Sequence, residues 1–261
     1  MSTPFLVKDI FPGSTGSFPN SLTALGNTLF FRADDGVNGT ELWKSDGTAA
    51  GTVLVKDILS GYFSSSPLNL TAVGNTLFFS ADDGVNGREL WKSDGTAAGT
   101  VLVKDIRPSL FRSYPNRLTA VGNTLFFTAN DGVNGYELWK SDGTAAGTVL
   151  VKDIRPGSSS SNLENLRAVG NTLFFTADDG VNGEELWALN VGGPTVPTLA
   201  IAATNANQTE GNSGNKAFTF TVTRAVNTIP REPITLTGQL PAAEPILPMP
   251  LILSGDCYPV G

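Results

Sequence analysis

Histidine is absent from the 261 residues, and cysteine occurs once, at Cys257. Without histidine there is no Ser-His or Cys-His nucleophile and no His-ligated metal site. A single cysteine excludes an intrachain disulfide. Charged residues make up only 16% of the chain, against about 25% in an average soluble domain. They comprise 17 basic and 24 acidic side chains, a net charge of -7. No basic patch is visible, which argues against nucleic acid as a partner. The acidic balance suits a solvated surface or cation binding. No apolar run reaches the roughly 18 residues of a membrane helix, so no membrane span is expected. Met1–Lys8 lacks the basic start and apolar core of a signal peptide, so no export signal is expected at this end. What the chain has in quantity is turn chemistry, with 29 glycines and 16 prolines.

The dominant feature is an internal repeat. Glu-Leu-Trp begins at Glu41, Glu89, Glu137 and Glu185, and Gly-Asn-Thr-Leu-Phe-Phe begins at Gly26, Gly74, Gly122 and Gly170, both with a 48-residue period. Each unit reads as four short strands. In the second copy these are Leu70–Val73, Thr76–Ala81, Arg88–Ser93 and Thr100–Ile106, with Gly74-Asn75 as a tight hairpin turn. Leu77, Phe78 and Phe79 are consecutive, as are Leu90 and Trp91. A strand apolar on both faces needs cover on both sides, which stacked sheets supply. The expected fold is therefore all-β: a four-bladed β-propeller over residues 5–190. A fourth-strand sequence follows units one to three, at Val53–Ile58, Val101–Ile106 and Val149–Ile154, but not unit four. Phe5–Ile10 carries that missing sequence, so it is expected to pair with the last unit and close the ring, which would protect the sheet edges. A monomer is then expected. The alternatives are an open arc of a larger array, or two chains forming an eight-bladed ring.

The strongest site candidate is the loop after the second strand of each unit. It holds Asp34, Asp35, Asn38 and Glu41; then Asp82, Asp83, Asn86 and Glu89; then Asn130, Asp131, Asn134 and Glu137; then Asp178, Asp179, Asn182 and Glu185. Several oxygen ligands within eight residues suit calcium, although the spacing is not that of an EF-hand. Asp and Asn beside glycine suit a hydrogen-bonded turn better, and the loss of the first acid at Asn130 favours that reading. Trp43, Trp91, Trp139 and Trp187 read as core residues rather than a carbohydrate platform. Lys56-Asp57 and its copies read as exposed ion pairs of small energetic value. Ser45-Asp46-Gly47-Thr48 resembles the bend of Asp-box hairpins, a structural element.

Glu-Leu-Trp-Lys-Ser-Asp-Gly-Thr-Ala-Ala-Gly-Thr, complete at Glu41–Thr52, Glu89–Thr100 and Glu137–Thr148, closely resembles the ELWxxDGT repeats of large bacterial proteins. The resemblance covers about residues 5–190 and implies a cell-surface or secreted repeat protein without assigned chemistry. Residues 191–197 read as a linker. Residues 198–227 hold alternating strands around Thr209–Gly214 and resemble the start of a Calx-beta domain, a calcium-binding sandwich. That resemblance points to Glu210 as a calcium ligand. The proline-rich remainder, residues 228–261, reads as an out-of-frame, disordered tail.

Function follows from the repetition. The same acids recur in every unit, whereas glycoside hydrolysis needs one asymmetric pair of carboxyls with separated pKa values. The reading is a non-enzymatic structural or binding module of an adhesin-like protein, presenting equivalent loops to an unidentified protein or carbohydrate. A calcium-binding module and a glycan-acting enzyme are the alternatives.

Overall fold

The computed structural model describes residues 2–192 and the strands 198–203, 216–225 and 234–240. All regular structure among the described residues is β. Each repeat forms one antiparallel sheet whose strands lie in chain order. The first sheet comprises β1 Asn20–Leu25, β2 Thr28–Asp34, β3 Thr40–Ser45 and β4 Val53–Lys56. The second comprises β5 Leu68–Val73, β6 Thr76–Asp82, β7 Arg88–Ser93 and β8 Val101–Lys104. The third comprises β9 Asn116–Val121, β10 Thr124–Asn130, β11 Tyr136–Ser141 and β12 Val149–Lys152. The fourth has three strands: β13 Glu164–Val169, β14 Thr172–Asp178 and β15 Glu184–Asn190.

Gly26 and its copies Gly74, Gly122 and Gly170 all take φ of 57–58°. This left-handed conformation closes the two-residue hairpin before the second strand, and glycine adopts it without a Cβ penalty.

Successive side chains of a strand point to opposite faces, and both faces are used. Phe30, Leu42, Val55 and Ile58 of the first sheet pack on Leu77, Phe79, Ala81 and Trp91 of the second. Phe78, Leu90, Val103 and Ile106 repeat this against Leu125, Phe127, Ala129 and Trp139 of the third. Phe126, Leu138 and Ile154 pack on Leu173, Phe175 and Ala177 of the fourth. Each fully buried Phe or Leu contributes roughly 1.5–3 kcal/mol, so the three junctions hold the array together. Threonine hydroxyls link neighbouring first strands: Thr23 Oγ1 donates to Leu70 O (3.2 Å) and Thr71 Oγ1 to Leu118 O (3.4 Å).

The sheets do not close. Phe5–Ile10 forms no strand and does not pair with β15. It lies instead against the first sheet, where Ile10 packs on Phe31 and Trp43 and Lys8 Nζ donates to Thr52 O at 2.7 Å. The physical reason is register. Lys56 makes the same bond to Thr100 O, and Lys104 to Thr148 O. Phe5–Ile10 thus takes the slot ahead of the first sheet that Val53–Ile58 takes ahead of the second.

The chain divides into two compact units, Met1–Gly193 and Pro194–Gly261. The second contains an antiparallel sheet of β16 Thr198–Ala203, β17 Lys216–Ala225 and β18 Ile234–Leu240, in that order. β18 falls within the stretch read from sequence as a disordered tail. It pairs with β17 from Val222↔Ile234 to Lys216↔Leu240, filling the gap between Pro233 and Pro241. Glu210 and Cys257 lie outside the described residues.

Candidate functional site

The loop after the second strand is built on its own carboxylates. Asp35 Oδ1 accepts from the Val37 and Asn38 backbone N–H groups (2.9 and 2.7 Å), and Asp35 Oδ2 accepts from the Asn38 side-chain amide at 2.8 Å. Asp34 Oδ1 accepts from Gly36 N–H at 2.7 Å. Asp83 with Asn86, Asp131 with Asn134 and Asp179 with Asn182 reproduce the turn. Asp82, Asn130 and Asp178 take the part of Asp34. Burial works to raise the pKa of Asp35, but the Asn38 and Val37 donors outweigh it and leave the carboxyl below its usual value. Asp83 and Asp131 are lowered through the same balance, and Asp179 is lowered by the Asn182 and Val181 donors. The spare oxygens of two of these acids bind arginine: Arg112–Asp82 at 3.1 Å and Arg155–Asp178 at 2.9 Å. Val37, Val85, Val133 and Val181 stand at the loop tips, 69%, 69%, 69% and 87% exposed.

The glutamates do not join these loops. Glu41, Glu89 and Glu137 are fully buried, and each carboxylate reaches the linker that leads into the next sheet. Glu89 Oε1 accepts from Ser113 N–H (2.8 Å), while Oε2 accepts from Ser113 Oγ (2.5 Å) and Ile106 N–H (3.1 Å). Glu41 is held in the same way by Ser65 and Ile58, and Glu137 by Ser161 and Ile154. Burial pushes Glu41 and Glu89 up to about 7 against the opposing pull of these donors, and it also raises Glu137. A Ser hydroxyl can donate or accept, so the pocket holds either protonation state. Glu185 is exposed. The structure therefore separates the sequence candidates into an Asp/Asn turn and a buried inter-sheet lock. Among the described residues, no three His, Cys, Asp or Glu side chains converge to hold a metal ion.

The remaining polar motifs serve the scaffold. Asp46 Oδ1 accepts from Thr48 N–H and Thr48 Oγ1, and Thr48 Oγ1 accepts from Gly51 N–H at 2.9 Å. Trp43, Trp91 and Trp139 are each 6% exposed, too buried for a carbohydrate platform. The reading of Lys56-Asp57 as an ion pair fails. Lys56 is drawn to Thr100 O on the next sheet at 2.8 Å, and Asp57 Oδ2 accepts from Gly61 N–H. The lock serines were missed by sequence reasoning. Their signal was present: Ser17, Ser65, Ser113 and Ser161 recur at the repeat period inside otherwise variable linkers.

No protein-family model matches the chain. No curated protein matches it either. Solved structures that align with it include a puromycin hydrolase, at 15% identity and a TM-score of 0.43, covering 78% of this chain and 33% of that one. A puromycin-hydrolyzing peptidase of Mycobacterium tuberculosis aligns at 14% identity and a TM-score of 0.46, covering 79% and 35%. A putative TolB from Agrobacterium tumefaciens aligns at 12% identity and a TM-score of 0.43, covering 86% and 77%. The chain spans about a third of the length of the puromycin hydrolase and of the puromycin-hydrolyzing peptidase. Likeness at this level carries no functional argument.

Proposed function

We propose that the four repeats are consecutive propeller-type blades serving as a non-enzymatic binding module of a bacterial surface or secreted protein. The observation that carries this reading is the equivalence of the four loops. In each, one aspartate closes the turn on its own backbone and a valine stands exposed at the tip. Four similar tips suit a ligand that spans several of them, because linked contacts gain avidity without any new chemistry. The acids with pKa near neutrality, Glu41 and Glu89, are sealed from solvent and engaged in the scaffold. The surface or secreted setting rests on the resemblance to ELWxxDGT repeats. The test is a glycan array with parallel measurement of hydrolysis. Retention without cleavage is expected, weakened by Val85→Asp alone and abolished when all four tip valines are replaced; cleavage of a retained glycan would sink the reading.

A calcium-binding module is the second reading. It is favoured by the four loop aspartates held below their usual pKa and hence ionised. Melting in calcium and in chelator decides between them, since a ligand that binds only the folded state raises Tm.

A further inference from the structure

The fourth sheet carries one half of the inter-sheet junction, and the first sheet carries the other. Val121, Phe126 and Leu138 form the trailing face of the third sheet and are at most 3% exposed. Val169, Phe174 and Leu186 stand at the same repeat positions of the fourth. There Val169 is 62% and Leu186 70% exposed. Glu185 is exposed where the other three repeat glutamates are 0% exposed. Among the described residues, no strand pairs with the outer edge of β15.

The first sheet offers the complement. Ile10 and Ser17 occupy the repeat positions of the lock donors Ile58 and Ser65. A groove of about 700 Å³ runs between the N-terminal segment and the sheet, with Leu29, Phe31, Ser45 and Thr52 in its lining. At the next junction, Phe30 fills the corresponding space and comes within 3.1 Å of where a Cβ on Gly95 would stand. Phe78 does the same at Gly143, at 3.2 Å, whereas a Cβ on Gly47 would meet nothing. The backbone edge at Phe5 and Leu6 is also open, with side chains 74% and 78% exposed.

We propose that a second copy of this chain docks head to tail, with β15 of one copy pairing with Phe5–Lys8 of the other and Glu185 entering the Ile10 and Ser17 donors. The β3–β4 register, Leu42↔Lys56, Trp43↔Leu54 and Lys44↔Val53, transposes to Leu186 opposite Lys8, Trp187 opposite Leu6 and Ala188 opposite Phe5. Phe174 and Leu186 then fill the groove. The occupant is fixed by continuity: this contact already occurs three times inside the chain. One bond is not reproduced. Lys44 and Lys92 donate to Gly95 O and Gly143 O, and the corresponding position in the fourth sheet is Ala188. The contact is heterologous, so two copies joined at both ends close a ring and otherwise form a series.

The experiment uses the full 261-residue chain. Light scattering across a concentration series is expected to show a mass rising from one chain to two or more. Leu186→Asp, at an exposed site, is expected to weaken association at least tenfold with an unchanged circular-dichroism spectrum. In a Cys257→Ser background, Phe5→Cys chains mixed with Ala188→Cys chains are expected to give the mixed disulfide on oxidation. A single-chain mass at every concentration, no mixed disulfide, or a purely intrachain disulfide in the Phe5→Cys/Ala188→Cys double variant would each overturn the proposal.

Discussion

Replacing Glu89 by alanine probes the lock directly, and its effect depends on pH in a direction the structure fixes. The substitution strands Ser113 N–H and Ile106 N–H in a buried site and removes the partner of Ser113 Oγ. A buried donor left unpaired costs about 1–3 kcal/mol. Two of them, with the lost packing, bring the destabilisation to roughly 3–6 kcal/mol where the wild-type carboxyl is protonated. The native pKa lies at about 7, raised from 4.5 by burial. A raised folded-state pKa contributes stability that is complete below the unfolded value and is lost as pH climbs through the folded one. The wild-type chain therefore weakens between these two values, by on the order of 3 kcal/mol from this group. The alanine chain has no such group, so the difference between the two proteins shrinks as pH rises.

Urea unfolding followed by tryptophan fluorescence measures this at mildly acidic and mildly alkaline pH. Trp91 and Trp139 lie in the two sheets that the Glu89 lock joins. Lys140→Ala is the control: it removes an exposed side chain of β11 and is expected to stay within about 0.5 kcal/mol of wild type. A Glu89→Ala cost no larger than that of the control, or one that grows with pH, would refute the reasoning.

The whole chain is expected to be most stable in mildly acid solution. Glu41 and Glu89 lose their contribution as pH rises through neutrality, Glu137, also raised by burial, loses its own in the same direction, and Asp35, Asp83, Asp131 and Asp179, with lowered pKa values, lose theirs as pH falls into the acid range; a Tm–pH profile peaking above neutrality would contradict this. Gly99→Ala is expected to cost about 2 kcal/mol in urea unfolding, because the new Cβ would overlap the Asp94 carboxylate and break the bend. Arg117 sits at φ 54°, within the bulge between β9 and β10, where the equivalent Asn69 and Asn165 take φ of 58° and 57°; Arg117→Asn relieves the backbone and loses only an exposed pair with Glu164, worth little, so it is expected to raise stability by about 0.5 kcal/mol, visible as a higher Tm. Calcium is expected to leave Tm unchanged relative to chelator, because the Asp35-type carboxylates already accept three internal donors each; a saturable rise would favour the calcium reading.

The strands were legible because their signals are local. The Gly-Asn turns, the paired phenylalanines and the Glu-Leu-Trp strands each specify an element within a few residues, and β5–β8 fall on the segments read as strands. Burial of Trp43, Trp91 and Trp139 followed from their neighbours in sequence, whereas Trp187, in the last sheet, is only half-buried. Closure was not local. Phe5–Ile10 reads as a fourth strand, and its sequence suits the outer edge of any third strand in the array. Only the stacking geometry decides which edge lies within reach, and it leaves the segment in the slot before the first sheet. The glutamates misled for a related reason. Glu41 lies six residues after Asp35 in the sequence, yet it belongs to β3, and its carboxylate is used by residues 17 and 24 positions downstream. Proximity along the chain suggested a metal loop; the period-matched serines carried the correct pairing.

A polar lock inside an apolar junction has a physical rationale in a chain of near-identical parts. Faces of Phe, Leu and Val attract one another without specifying register, and each sheet here could stack on any other in several offsets. A buried carboxylate accepts only the offset that delivers all its donors, since any other leaves a buried charge or unpaired N–H groups at several kcal/mol. Glu89 with Ser113 and Ile106 therefore penalises misstacked arrangements even where it adds little net stability to the correct one. The same rule acts between molecules. Glu185 and the Ser17–Ile10 donors are the unmatched halves of one lock, and they set the single offset at which the fourth sheet of one copy can meet the first sheet of another.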